Sequence, residues 1–588
     1  MEFLGRVAYE VHLMRPLLPT YLHLLISAIF PIYIAAHSSL ARPASAARPS
    51  KAVKGDDNDN DEVSQKIESL SASDAVVFPL LAGATLTTLY LLLKWLQDPA
   101  WLNWGLGIYF GQIGLVFATK FLKDVQVFLR SFLLPTQYTA GGKLWKVNNE
   151  ERLFQVDDTD AKNKSPVPGI FRNLPMPQFL NELIWAIRCL TYKKAKLNLH
   201  IHRIITLKSS IDILDLSSLL VATAIVGYHT FFARPWFLTN FLGFSFCYGS
   251  LQFISPTTAW TGTLILSALF FYDIYFVFFT PMMVTVATKL DVPIKLLFPR
   301  PDGCIMPVGA AEGSAEMVEY LQCLAKKRTM AMLGLGDIVI PGMVLAFALR
   351  FDLYLFYLRA QSQSDSTGSA KPRYVQVTGG WGERFWTTAK LRSKELQAKS
   401  FPKPYFYASV VGYLAGMITT VVVMQVAQHA QPALLYLVPG VLLSLWGTAL
   451  VKGDLKTLWR YSEDQGEDDD LPKKGDKNNR ERSKSDGSAE KEMPQEFSKS
   501  TDTTEKDDEE DRDDSEKSCR QLISFSITLA EAKSKDKGTL KARIRVMPPA
   551  RTRQDDRNTV TSDHNEGRNT SVVDRAGGEP PEKRRRKT

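Results

Sequence analysis

Cysteine is scarce in this sequence of 588 residues. The five present (Cys189, Cys247, Cys304, Cys323 and Cys519) are too few and too scattered for a disulfide framework, and no CxxC pair offers a metal site. Cys304 and Cys323 share one loop and are placed to bridge if that loop is lumenal. The eight histidines are equally dispersed, and no HExxH helix is present to hold zinc. Up to about Val451, charge is nearly absent from the long apolar runs. Beyond Lys452 the deficit reverses and large apolar residues become rare, so the net charge of +9 and a mean hydropathy near zero conceal two unlike halves. Length alone decides little.

What is there in quantity is apolar sequence. A bilayer core about 30 Å thick takes roughly 20 apolar residues per helix. About nine runs qualify: Leu17–Ala36, Ala75–Leu96, Leu102–Leu122, Asp215–Ala233, Trp236–Ile254, Ala259–Thr280, Met330–Arg350, Tyr405–Val426 and Pro432–Val451. The first competes with a cleaved signal sequence, for which Ala44-Ser45-Ala46 offers a small-residue cleavage site. Its length, late start and internal Pro31 favour a retained helix. Basic residues set the orientation. Lys193, Lys194, Lys196, Arg203 and Lys208 lie in the join Pro135–Lys208, and Arg384, Lys390, Arg392 and Lys394 in Phe351–Lys403. The joins Gln97–Trp101 and Gln428–Gln431 have none. Arg234, Lys326, Lys327 and Arg328 are the exceptions. On balance the N-terminus is expected outside and the C-terminus in the cytoplasm.

The expected architecture is an all-α polytopic membrane protein with a catalytic helix pair and a disordered, charged C-terminal tail. Residues 1–134 hold helices one to three and the small, acidic linker Ser38–Ser73. Residues 135–208 form a cytosolic insert with an amphipathic helix around Pro177–Thr191, read as a solvated cap. Residues 209–451 carry helices four to nine, and 452–588 the tail, which cannot bury enough surface to offset chain entropy. Within it, Gln521–Val546 is balanced enough for short strands or a helix. The closing KRRRK reads first as a solubilising end and next as a cytoplasmic retrieval or lipid-headgroup signal, not as a nucleic-acid patch. The sequons at Asn163 and Asn569 lie on the cytoplasmic side and should carry no glycan.

Two charges inside the spanning runs stand out. An Asp at a helix centre costs roughly 2.5–3.5 kcal/mol on insertion scales, yet Asp273 sits in LFFYDIYFVFFT and Asp337 in MLGLGDIVIPG. Neither has an obvious cationic partner at its depth. Asp273 lies about seven residues before the end of its run, and Asp337 about seven after the start of the next, so antiparallel helices place both about 10 Å in, whichever way up the chain lies. Two carboxyls at one depth can share a proton and titrate as a unit. That supplies a base to activate water and an acid for the leaving amide. Gly334 and Gly336, on either side of Leu335, weaken the helix locally and allow close backbone approach. Pro432, Ala433 and Leu434 open the last run from the same side as the aspartates. A helical substrate must open before it can be cut, and these two irregular segments offer an edge for strand addition.

Together YD, GLGD and PAL resemble the signature of the GxGD intramembrane aspartyl proteases, which include presenilin. The segments FFYDIYFVFFTPMMVTVATKLDVPIKL, MLGLGDIVIPG and QPALLYLVP look specifically like signal peptide peptidase. The likeness covers Ser209–Val451 well, the first three helices in outline and the tail not at all. It implies an aspartic-type intramembrane endopeptidase of the endoplasmic reticulum membrane, N-terminus lumenal and C-terminus cytosolic, with no cofactor or metal. Asp273 and Asp337 match its catalytic aspartates; Tyr272, Gly334, Leu335, Gly336, Pro432, Ala433 and Leu434 match its active-site segments. Expected substrates are transmembrane helical peptides such as signal-peptide remnants, and type II membrane proteins. The other expected partners are the lipid bilayer, a second copy of the chain and quality-control proteins of the reticulum; nucleic acid is not one. The long tail, its RRKT ending and the lack of an N-terminal sequon depart from the pattern and leave the retention signal open. A serine–histidine protease is excluded because His229 and His429 sit near helix ends with no GxSG. A transporter or ion channel would explain buried carboxylates, and a silent scaffold would bind membrane helices, but neither explains the three motifs together. Asp212 and Asp215, at the edge of the fourth run, read as interfacial.

Overall fold

The computed structural model describes residues 17–47, 68–96, 99–149, 151–156, 159–169, 177–201, 205–290, 292–300, 318, 323, 330–364, 371–393, 396, 398–427, 431–463 and 523–529. Most of the acidic linker, Cys304, His429, the closing KRRRK and nearly all of the charged tail lie outside the described residues.

The apolar runs become helices because a backbone in lipid must satisfy its own hydrogen bonds. In chain order come α1 (Leu18–Ser38), β1 (Glu68–Leu70), α2 (Asp74–Trp95) and α3 (Ala100–Leu133). A short-stranded region follows: β2 (Gln137–Ala140), β3 (Lys143–Asn148), β4 (Leu153–Val156), β5 (Thr159–Asn163), α4 (Gln178–Tyr192), β6 (Lys194–Ile201) and β7 (Ile205–Asp212). Then come α5 (Ile213–Phe231), α6 (Trp236–Phe253), β8 (Ile254–Pro256), α7 (Ala259–Phe278), α8 (Met282–Lys289), β9 (Lys295–Pro299), β10 (Met330–Gly334) and α9 (Gly336–Ser364). The chain continues with α10 (Trp381–Trp386), α11 (Pro404–Ala427), α12 (Leu434–Lys452), α13 (Leu455–Arg460) and β11 (Ile523–Leu529).

Among the described residues, eight helices are long and apolar enough to cross a membrane: α1, α2, α3, α5, α7, α9, α11 and α12. The remaining expected span, α6, is an 18-residue helix. Its buried Thr239, Asn240, Ser245 and Gln252 make it less apolar and turn it toward protein. Helix α9 is the central post. It packs against α1, α6, α7, α11 and α12, and its stretch from Pro341 to Arg350 is buried throughout. The outer helices instead expose Leu80, Leu220, Phe271, Val411 and Leu443, as a lipid-facing surface requires.

Glycine sets the closest helix contact. Along α11 and α12, a Cβ added at Gly412 would lie 2.3 Å from the Gly440 carbonyl oxygen, and one at Gly416 would lie 2.7 Å from that of Tyr436. Gly412 and Gly416 are four apart, the small-residue spacing that lets membrane helices touch backbone to backbone. The start of α11 is held by Asp352 of α9, which accepts the main-chain N–H groups of Tyr405 (3.2 Å) and Phe406 (2.9 Å). At the same end Arg350 donates to Glu463 (2.7 Å) and Ser39 (2.8 Å), and Ser255 donates to Glu463 (2.6 Å). This buried network ties α1, β8, α9 and the segment after α13 together. Removing one partner of such a pair costs about 3–5 kcal/mol.

Several expectations need correction. The chain is helical within the bundle, but the insert is not only a cap with one helix. Strands β2 to β5 form a four-stranded antiparallel sheet, and α4, over the expected Pro177–Thr191 region, packs Trp185 against Phe154. Strands β6 and β7 form a hairpin that runs straight into α5, and β11, a short strand within Gln521–Val546 as expected, pairs antiparallel with β6. The following loop joins in: α10 docks on the end of α3, where a Cβ on Gly382 would lie 2.0 Å from the Ser131 carbonyl oxygen. Helices α3 and α9 also run past their expected ends at Leu122 and Arg350. Asp212 and Asp215 form the capping box of α5, with Lys123 paired to Asp215 at 2.6 Å. Cys323 is in a disulfide, while Cys189 and Cys247 are free.

Candidate active site

The run Met330–Arg350, expected as one helix, is a strand followed by a helix. Met330–Gly334 pairs in antiparallel register with Pro299–Lys295, and the Leu335 N–H continues the pairing to the Ile294 carbonyl at 3.1 Å. Gly334 and Gly336 supply the break. The helix therefore begins at Gly336, and Asp337 lies in its first turn, not two turns within it.

Asp273 sits in the second half of α7 and is 3% exposed. Its Oδ2 accepts the main-chain N–H of Leu434 at 3.0 Å. Leu434 is the first residue of α12, where helix N–H groups have no partner within the helix. The segment Pro432–Ala433–Leu434 thus delivers an orphan donor to this carboxyl. Asp337 is half-buried, beside the exposed Gly334 and Gly336. The fully buried Tyr413 of α11 donates its hydroxyl to the Asp337 carbonyl at 3.3 Å, fixing that first turn. A Cβ on Gly334 would lie 3.4 Å from Asp337 Oδ2, so the absent side chain leaves the approach to this carboxyl open. Asp273 meets the start of α12, Asp337 lies at the end of β10, and α7, α9 and α12 all pack on one another.

The β9–β10 hairpin has unequal edges. Asn240 of α6 donates to the Leu297 carbonyl at 2.8 Å and accepts the Leu297 N–H at 2.7 Å, sealing β9 on its far side. Strand β10 has no second strand partner among the described residues. Its Ala331 and Leu333 are buried, while Met332 and Gly334 are exposed. An unpaired edge leading to a carboxyl is a template for an extended peptide. Lys295, opposite Gly334, anchors the hairpin by donating to the carbonyls of Ala287 (2.8 Å) and Leu290 (2.9 Å) at the end of α8.

Of the expected site residues, Asp273, Asp337, Gly334 and Leu434 come together in this way. Pro432 and Ala433 hold the helix start: their carbonyls accept the N–H groups of Leu435 and Tyr436, both at 3.2 Å. Leu335 packs on the core and bonds to Ile294. The Tyr272 ring lies tilted against that of Phe276 at 4.6 Å, and both face Gly83 of α2, so this tyrosine leans toward the neighbouring helix. Asn240, Lys295 and Tyr413 escaped the sequence reading. Asn240 alone carried a signal, as an amide inside an apolar run. No group of three or more metal-ligating side chains occurs among the described residues.

These features define a polytopic membrane protein with a buried carboxyl, Asp273, and a half-buried one, Asp337, on helices that pack against each other. Residues 62–465 match the family described as signal peptide peptidase. The chain belongs to that family of intramembrane aspartic-type proteases. It is 34% identical over 276 residues to intramembrane protease 2 of Caenorhabditis elegans, covering 46% of this chain and 48% of that one. It is 26% identical over 401 residues to the signal peptide peptidase of Mus musculus, covering 68% and 76%. A third relative, signal peptide peptidase-like 1 of Oryza sativa, is 30% identical over 257 residues, covering 39% and 57%.

Proposed function

We propose that this chain hydrolyses peptide bonds within transmembrane segments, with water activated between Asp273 and Asp337. The convergence of Asp273, Asp337 and the open edge of β10 carries this reading. A substrate helix enters laterally, unwinds and adds as a strand along β10, which directs its scissile carbonyl toward the aspartates. One carboxylate takes a proton from water as the other, protonated, polarises the carbonyl and later protonates the leaving nitrogen. Tyr272, Gly334, Leu335, Gly336, Pro432, Ala433 and Leu434 shape the site around this pair. Substrates are signal-peptide remnants and type II membrane proteins of the endoplasmic reticulum, with the N-terminus lumenal and the C-terminus cytosolic. A second copy of the chain and quality-control proteins are further partners.

The test uses purified protein, Asp273→Ala and Asp337→Ala, each offered a signal-peptide-like helical peptide in detergent. Cleavage by the parent, lost in both variants with their unfolding midpoints kept, is the expected result. Cleavage by either variant at the parent's rate removes that aspartate from the chemistry.

A further inference from the structure

At the face of the bundle where α1 ends and α11 begins, four side chains make a continuous chain of contacts. The Lys403 ammonium donates to His37 Nε2 at 2.8 Å, and His37 Nδ1 donates to the Tyr33 carbonyl at 2.8 Å. The imidazole thus carries its proton on Nδ1 and serves as an acceptor for a cation. The His37 ring lies 5.4 Å from that of Trp381. The Arg384 guanidinium lies over the same indole, 5.6 Å from its centroid. Phe401 supports the ammonium from 4.9 Å.

Among the described residues the cluster has two cations and no anion. Among the described residues neither Arg384 nor Lys403 forms an ion pair. Asp352, the carboxyl whose charge reaches Lys403, has both oxygens committed to the N–H groups that start α11. The Arg384 fork makes one long contact, to the Lys399 carbonyl at 3.5 Å. Burial and the Arg384 charge push Lys403 down to about 8, and burial followed by Arg392 pushes Arg384 down. The fold therefore holds like charges together and partly out of water, an arrangement that an anion would relieve. A planar guanidinium beside a point-charge ammonium suits tetrahedral phosphate oxygens. The level in the membrane suits a lipid. Lys403 immediately precedes a membrane span, and Trp381, Phe385 and Tyr407 are exposed around it, as aromatic side chains are at headgroup depth.

We propose that His37, Trp381, Arg384 and Lys403 form a binding site for a phosphate group, supplied by the headgroup of an anionic phospholipid. The site stands apart from Asp273 and Asp337 and does not depend on their roles.

The test compares the intact protein in nanodiscs of phosphatidylcholine alone, of phosphatidylcholine with phosphatidic acid, and of phosphatidylcholine with inorganic phosphate in the buffer. Thermal unfolding and native mass spectrometry are the readouts. Phosphatidic acid should raise the unfolding midpoint by several degrees and leave a retained anionic lipid. Arg384→Gln/Lys403→Gln should lose both effects. Lys390→Gln/Lys456→Gln, which removes two exposed lysines elsewhere, should keep them. If the first double variant does not fold, Arg384→Gln, which leaves the Lys403–His37 contact in place, carries the comparison. Equal loss in both double variants, or loss in neither, overturns the site. An equal midpoint rise with inorganic phosphate overturns the lipid source and assigns the site to a soluble phosphate.

Discussion

The main-chain N–H of Leu434 donates to Oδ2 of Asp273 across 3.0 Å, joining the start of α12 to α7. The donor is free to do this because it lies in a first helical turn. Replacing the 433–434 amide by an ester removes the N–H and keeps every side chain. A hydrogen bond to a charged group contributes about 1.5–3 kcal/mol, so kcat/KM for a membrane peptide should fall roughly 10- to 100-fold. An ester variant with full activity would mean that Asp273 is held by its packing alone.

The two glycines beside Leu335 should respond differently to the same change. A Cβ at 334 would stand 3.4 Å from Asp337 Oδ2, whereas one at 336 would meet only Ile340, at 3.7 Å. On the proposed role of Asp337, Gly334→Ala should lower kcat about 10-fold with the fold intact, because its methyl would take up space beside the carboxyl that water and peptide need. Gly336→Ala should cost no more than about 3-fold, since Ala is a better helix residue than Gly. Equal losses, measured as initial rates at saturating peptide, would refute the assignment of the open approach to Gly334.

Part of this site could be read from the sequence, because a charge in an apolar run is costly and needs a partner or a task. Asp273 and Asp337 stand out in that way, and the Pro432–Leu434 segment by its proline start on the same side as the aspartates. The strand Met330–Gly334 was not, since a short apolar strand followed by an apolar helix reads as one continuous run. The cue was Gly334 and Gly336, taken as a weakening when they mark a boundary. In the insert, Gly141-Gly142 between two short runs is a hairpin signal, and both glycines have positive φ, 59° and 71°. Asn240 bonding to Leu297 could not be foreseen, because that pairing across 57 residues exists only once α6 and β9 are packed.

Lys403 gives the protein a pH dependence with a definite sign. Burial first, and Arg384 second, push it from the usual lysine range down to about 8. Between about pH 8 and the ordinary lysine value near 10.4, the unfolded chain holds this proton and the folded chain does not. Stability therefore rises with pH across that window, and the cost of the buried ammonium is fully present below it. The unfolding midpoint in neutral detergent should climb from pH 8 toward pH 10, and Lys403→Met should flatten the climb. An unchanged slope in the variant would place the titration elsewhere.

Two glycines of α12 isolate the contribution of helix contact from that of helix propensity. A Cβ on Gly440 would lie 2.5 Å from the Gly412 carbonyl oxygen, while one on Gly447 would meet nothing within 4 Å. Each change to Ala gains about 1 kcal/mol of helix propensity. At Gly440 that gain is set against forcing two backbones apart, and overpacking of this kind costs about 1–3 kcal/mol. Gly440→Ala should lower the unfolding midpoint and reduce cleavage, because α12 carries Leu434 to Asp273. Gly447→Ala should leave the midpoint unchanged or raise it. If the two variants unfold together, the contact between α11 and α12 is looser than the Gly412–Gly440 approach requires, and the position of Leu434 must be set from the α7 side.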